Sequence, residues 1–92
     1  MPDSSGYRSH LSLEAAAFLV SLPRRKQNRV LDLADQIARS PFQIGDCQTS
    51  DAEDRIVENL LMNEYLFSYW IDHASREVRI TEIIKIDRRA HV

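Results

Sequence analysis

The side chains in this 92-residue sequence best suited to chemistry are cations gathered in two short stretches. Arg24, Arg25, Lys26 and Arg29 fall close together, and so do Lys85, Arg88, Arg89 and His91 near the C-terminus. Arginine and lysine hold phosphate oxygens without needing to titrate, and they stabilise charge that builds on a reacting phosphate. A histidine beside them can carry a proton at neutral pH, a contribution worth roughly 10²–10⁴ in rate. Arg55, Arg79 and the single tryptophan, Trp70, extend the set. An indole stacks on a nucleobase or packs beneath a partner's helix or strand. Each group also has a plainer reading. The terminal cations suit a solvated tail, and Arg55 and Arg79 suit cross-strand pairing with Glu58, Glu64 or Glu77. Arg24, Arg25 and Lys26 suit an exposed helix end, although cations there oppose the helix dipole at a few tenths of a kcal/mol each.

The elements that must position these groups follow from periodicity and punctuation. Residues 6–11 read as a short edge strand anchored by Tyr7 and Leu11. Ser12 is an N-cap, with Glu14 in the first turn, for a helix over residues 13–22. The stripe Leu13, Ala16, Ala17 and Val20 is expected to face the core. Pro23 suits the first turn of a second helix, where its missing N–H costs nothing. Val30, Leu33, Ala34, Ile37 and Ala38 then recur at helical spacing, and Pro41 closes the run. Residues 42–54 carry turn chemistry and read as a loop.

Three strands are expected after it, over residues 55–62, 65–72 and 77–86, with Asn63 and Glu64 forming the first turn. The middle strand alternates most strictly, Tyr65, Phe67, Tyr69 and Ile71 against Leu66, Ser68, Trp70 and Asp72. The aromatic set, with Val78 and Ile80, offers the helices a face to cover. Ser68, Trp70, Arg79, Thr81 and Lys85 would form the opposite, open face, and Glu82 interrupts the last strand as an edge charge or beside a bulge. The class is therefore α+β: a short N-terminal strand, an αα-hairpin, then a three-stranded antiparallel meander packed on the helices. Residues 1–92 form a single domain, with 1–6 read as a disordered tail.

Composition narrows the function classes. Hydrophobic residues make up 43% and charged residues 28%, ordinary for a soluble globular protein. The lone Cys47 cannot form an internal disulfide, and no cysteine or histidine cluster has metal-ligand spacing, so neither a metal nor another cofactor is implied. The acidic stretch 46–58 lacks the spacing of a calcium loop. No signal peptide or membrane span is visible, and a cytoplasmic protein with no membrane partner is expected. The net charge of −2 is unevenly spread, with one basic residue against six acidic ones between positions 46 and 64. Nucleic-acid binding, usually a property of basic domains, would have to come from local patches.

Three stretches, LSLEAAAFLVSLP, the following helix ending in SPF, and NEYLFSYWIDHASREVRITEIIKIDRRAHV, together resemble the RelE/ParE family of bacterial toxins. The likeness covers nearly the whole chain and rests on an aromatic strand, a V-x-I-x-x-I strand and a basic tail in this order. It implies the toxin of a type II toxin–antitoxin pair, partnered by a cognate antitoxin as a hetero-oligomer or alongside a homodimer. RelE-like branches cleave mRNA on the ribosome; ParE-like branches inhibit DNA gyrase. By that resemblance Arg89 matches the family's catalytic arginine, Arg88 stands where a histidine is common, and His91 serves proton transfer. Lys85, Arg79, Arg55, Trp70, Arg24, Arg25 and Lys26 are the expected RNA contacts. The sequence departs from the pattern in two places: Leu66 stands where active members often carry an arginine, and Val92 falls where many carry a tyrosine. The alternative is a non-enzymatic binding module on the same fold, either a gyrase inhibitor or a degenerate toxin that only engages its antitoxin.

Overall fold

A computed structural model describes residues 6–86. The expectations for Arg88, Arg89 and His91, and for the first five residues, lie outside the described residues. The chain runs β1 (Arg8–Leu11), α1 (Leu13–Val20), α2 (Arg24–Arg39), β2 (Cys47–Ser50), β3 (Ile56–Met62), β4 (Tyr65–Asp72) and β5 (Glu77–Lys85). The strands form one sheet in the order β1-β5-β4-β3-β2, antiparallel except for the parallel pair β1–β5. The helices lie against one face, and among the described residues no helix covers the other, here called the open face.

Ser12 caps α1 as expected: its hydroxyl accepts from Ala15 N at 3.1 Å and donates to the Thr81 carbonyl at 2.8 Å. That second bond ties the helix to β5 and fixes how α1 is turned. The expected stripe is corrected as a result. Ala15 and Leu19 are buried, with Phe18 and Leu22 packed beside them, whereas Leu13 is 91% and Val20 70% exposed. A short helix that is apolar almost all round has no single face for periodicity to select; the anchoring of its cap selects one instead. In α2 the period decides unaided, and Val30, Leu33, Ala34, Ile37 and Ala38 are all buried.

The loop expected over residues 42–54 contains a strand. β2 is exposed along its whole length, so no hydrophobic alternation marks it. Polar side chains fasten it to β3 instead. Asn59 Nδ2 donates to Thr49 Oγ1 at 3.2 Å, and Gln48 Nε2 donates to Glu58 Oε2 at 2.6 Å. Just before it, Asp46 accepts from Leu61 N at 2.7 Å. Gly45 makes the close approach to β3; a Cβ there would stand 2.9 Å from the Asn59 carbonyl oxygen.

Tyr65, Phe67, Tyr69, Val78 and Ile80 form the centre of the core, and Ile71 packs partly buried at its margin. Between Ser68 and Tyr69 the β4–β5 register shifts, leaving Thr81 as the extra residue: Tyr69 pairs with Ile80 but Ser68 with Glu82. This bulge corrects the placement of Lys85. Beyond it the parity of β5 reverses, so Lys85 pairs with Tyr65 on the helix side and not with Trp70 and Arg79 on the open face.

Candidate nucleic-acid interface

The open face brings together three of the expected site residues. Trp70 and Arg79 are register partners on β4 and β5, and Arg55, just ahead of β3, reaches over the same indole. The Arg55 guanidinium carbon lies 4.1 Å from the ring centroid and that of Arg79 5.7 Å away, both within cation–π range. A depression of about 280 Å³ beside them is lined by His10, Ser12, Ile80 and Thr81 as well.

Both arginines are already engaged with carboxylates. Arg55 Nε donates to Asp51 Oδ2 at 2.7 Å, and its Nη2 lies 3.5 Å from Glu53. The hydrogen bonds from Arg55, side chain first and then backbone, hold the Asp51 carboxyl below its ordinary range. Arg79 Nη2 stands 2.8 Å from Glu77 and its Nε 3.5 Å from Asp72. Asp72 also accepts from Ser75 N at 3.2 Å, the bond that chiefly lowers its pKa, so it serves the turn and forms no dyad with His73. Two guanidinium groups thus face four carboxylates. The cross-strand pairing expected with Glu58 or Glu64 is replaced by these local partners; of the three acids expected, only Glu77 is used.

The rest of the open face is less polar. Leu61, Leu66 and Ile84 form a row across β3, β4 and β5, with Leu61 38% and Ile84 39% exposed. Leu66, the departure from the family pattern, is the centre of that row. A second groove of about 410 Å³ runs from Arg55 and Trp70 to Phe42, Ile44 and His73. There Phe42 stacks on the His73 ring at 5.6 Å, and the Tyr7 hydroxyl lies 2.8 Å from His73 Nδ1. Sequence reasoning missed this aromatic group, because its members come from three distant places: the residue before β1, the α2–β2 connection and the β4–β5 turn.

The second cation cluster lies on the helix side of the molecule. Arg25, Lys26 and Arg29 of α2 line a concavity of about 730 Å³ with Asn63, Glu64 and Tyr65 from the β3–β4 turn. Arg24 does not line it. With the Asn63 side-chain oxygen turned toward it, Arg29 donates Nε and Nη2 at 2.9 and 2.8 Å. Asn63 has a positive φ of 58°, which asparagine tolerates better than most residues. Burial pushes the Tyr65 hydroxyl's pKa up, and the Glu64 carboxylate adds to the shift. Ile86 N donates to the Glu64 carbonyl at 2.7 Å, so the chain leaves β5 beside this pocket.

No protein-family model and no curated protein sequence matches the chain. Solved structures do. The RelBE2 toxin–antitoxin complex of Mycobacterium tuberculosis superposes with a TM-score of 0.70 at 21% identity, covering 86% of this chain and 96% of that one. The fold is RelE-like. The RelE–RelB complex of the archaeon Pyrococcus horikoshii gives a TM-score of 0.66 at 18% identity, over 89% and 97% of the two chains. The α+β arrangement expected from the sequence is therefore the RelE-like one, extended by β2 and by the parallel pairing of β1 with β5. Among the described residues no group of three histidine, cysteine or acidic side chains is placed to hold a metal, and no helix is long and apolar enough to cross a membrane.

Proposed function

We propose that this RelE-like chain is the toxin of a type II toxin–antitoxin pair, and that it cleaves mRNA on the translating ribosome. The observation that carries the reading is the RelE-like fold itself, shared over most of the chain with two toxin–antitoxin complexes. Its partners are then a cognate antitoxin and ribosome-bound mRNA, and its setting is the cytoplasm. In this reading the 2′-hydroxyl of the RNA attacks the adjacent phosphate. The base must take that proton, cations must hold the charge that builds on the phosphorus oxygens, and an acid must assist the leaving oxygen. Arg89 and Arg88 supply the charge and His91 the proton transfer. Lys85 leads into this segment from the end of β5.

Expression in a bacterial host, followed by primer-extension mapping of mRNA ends, tests it. The expected outcome is growth arrest with codon-phased cuts that vanish in Arg89→Ala. Arrest with intact mRNA would move the target to gyrase or elsewhere.

A second reading has its own support. Arg55 and Arg79 face four carboxylates, and the apolar row through Leu66 occupies the open face; both suit a surface that receives a protein partner. On that reading the chain is a binding module with no nuclease activity, and expression leaves mRNA uncut.

A further inference from the structure

We propose that the pocket between the start of α2 and the β3–β4 turn binds a phosphate group of RNA, and that it does so independently of any cleavage. The inference stands whether or not the chain is a toxin, because it rests on a pocket lined by neither Arg55, Trp70 nor Arg79, and on binding alone.

The cations of this pocket differ from three arginines elsewhere. Arg39, Arg55 and Arg79 each pair with a carboxylate. Arg25 and Lys26 form no ion pair among the described residues. α2 begins with three consecutive cations, has no acidic residue in its first turn, and is preceded by Pro23, which gives no side-chain capping bond. The first N–H groups of that helix are left with partial positive charge and no side chain to satisfy them. One turn further along the same helix, Arg29 is braced by its two bonds to Asn63 of the β3–β4 turn, which fix its guanidinium before any ligand arrives. Three cations face a single carboxylate, Glu64.

This arrangement selects among anions. Two guanidinium forks and the Lys26 ammonium, whose three N–H bonds point in different directions, supply donors that do not share a plane. A tetrahedral phosphate presents oxygens in several directions, whereas a carboxylate accepts within its own plane. The volume, about 730 Å³, exceeds what one phosphate needs and lies in the range that holds a nucleotide-sized group. The chain as a whole carries a net charge of −2, so a polyanion gains no general attraction to it, and binding must be local.

The test is fluorescence anisotropy of a labelled ten-nucleotide uridine oligomer against the full chain across a salt series. Three phosphate contacts to a single strand give a slope of log K against log salt of roughly −2. The double variant Arg25→Glu, Lys26→Glu should bind at least about tenfold more weakly with a slope shallower by about 1 or more. Arg8→Glu with Arg39→Glu, an equal charge change elsewhere, should bind like the wild type. Circular dichroism checks that each variant is folded; both pairs lie on the exposed surface. Displacement of the oligomer by both uridine monophosphate and inorganic phosphate supports a pocket for phosphate itself; displacement by the nucleotide alone supports one that also holds sugar or base. The proposal is overturned if the wild type fails to bind at low salt, if the folded double variant binds equally well, or if a glutamate oligopeptide displaces the RNA as effectively as unlabelled RNA does.

Discussion

The arginines of the open face and the cations at the start of α2 sit in opposite surroundings. Arg55 and Arg79 lie within a few ångströms of four carboxylates and flank an indole. A phosphate arriving there would have to compete with acids already in place. Among the described residues Arg25 and Lys26 pair with no carboxylate, although Glu64 lines their pocket, and Arg29 is held by a neutral amide. Residue type alone treats the two groups as equivalent. Their neighbours separate them into a group that holds the sheet's end together and a group free to meet a ligand.

The largest effect that would sharpen this contrast is expected from Trp70→Ala. Half-buried beneath two guanidinium groups, the indole organises the open-face cluster, and its loss should lower stability by about 2–3 kcal/mol in denaturant unfolding. Oligonucleotide binding should be untouched. A loss of RNA affinity in that variant, with stability preserved, would reverse the assignment of the two regions.

Tyr69→Phe comes next. Tyr69 is fully buried, and among the described residues its hydroxyl meets no hydrogen-bond partner. Removing the hydroxyl should be neutral or stabilise by up to about 1 kcal/mol. Burial raises its pKa to about 12, with the Glu58 and Asp46 carboxylates adding to the shift. The folded pKa lies above the unfolded value near 10, so this contribution is complete below pH 10 and is lost as the pH climbs toward 12. Stability measured between pH 9 and 12 should fall less steeply in the phenylalanine variant.

A smaller gain is expected from Arg24→Glu. An acidic residue in the first turn complements the helix dipole, and Arg24 does not line the pocket, so a rise of about 0.3–1 kcal/mol at low salt should leave phosphate binding nearly intact. The smallest effect concerns Asp51. Its folded pKa is depressed, so the stability from its bonds to Arg55 is present above its unfolded value and is lost as the pH falls through the folded one. Asp51→Asn should flatten the acid limb of the unfolding profile; an unchanged limb would show that Arg55 needs no partner there.

How much was legible in the chain depended on what enforced each element. α2 and β4 were readable because one face of each is buried and the other is not, which prints a strict period on the sequence. α1 was found, but its inward face was not, because its rotation is set by Ser12 reaching the Thr81 carbonyl far along the chain. β2 left no hydrophobic trace, being fastened by Gln48, Thr49 and Asn59. Lys85 changed sides because one extra residue at Thr81 reverses every later position on β5. At the candidate sites, Trp70 and Arg79 are expected on one face and are found there, joined by Arg55. Their carboxylate partners depended on turn geometry, and the Arg29–Asn63 brace on helix-to-turn packing. Neither is encoded in local spacing.

The parallel pairing of β1 with β5 has a consequence for when the molecule can exist at all. Ser12 and its partner Thr81 are separated by 69 positions, and among the described residues β1 pairs with no other strand. The first strand must therefore wait for β5, and the sheet cannot be completed while Glu77–Lys85 are still inside the exit tunnel of the ribosome that makes them. The open face, with Arg79 of β5 beside Trp70 of β4, is therefore assembled late, after most of this sequence has already emerged.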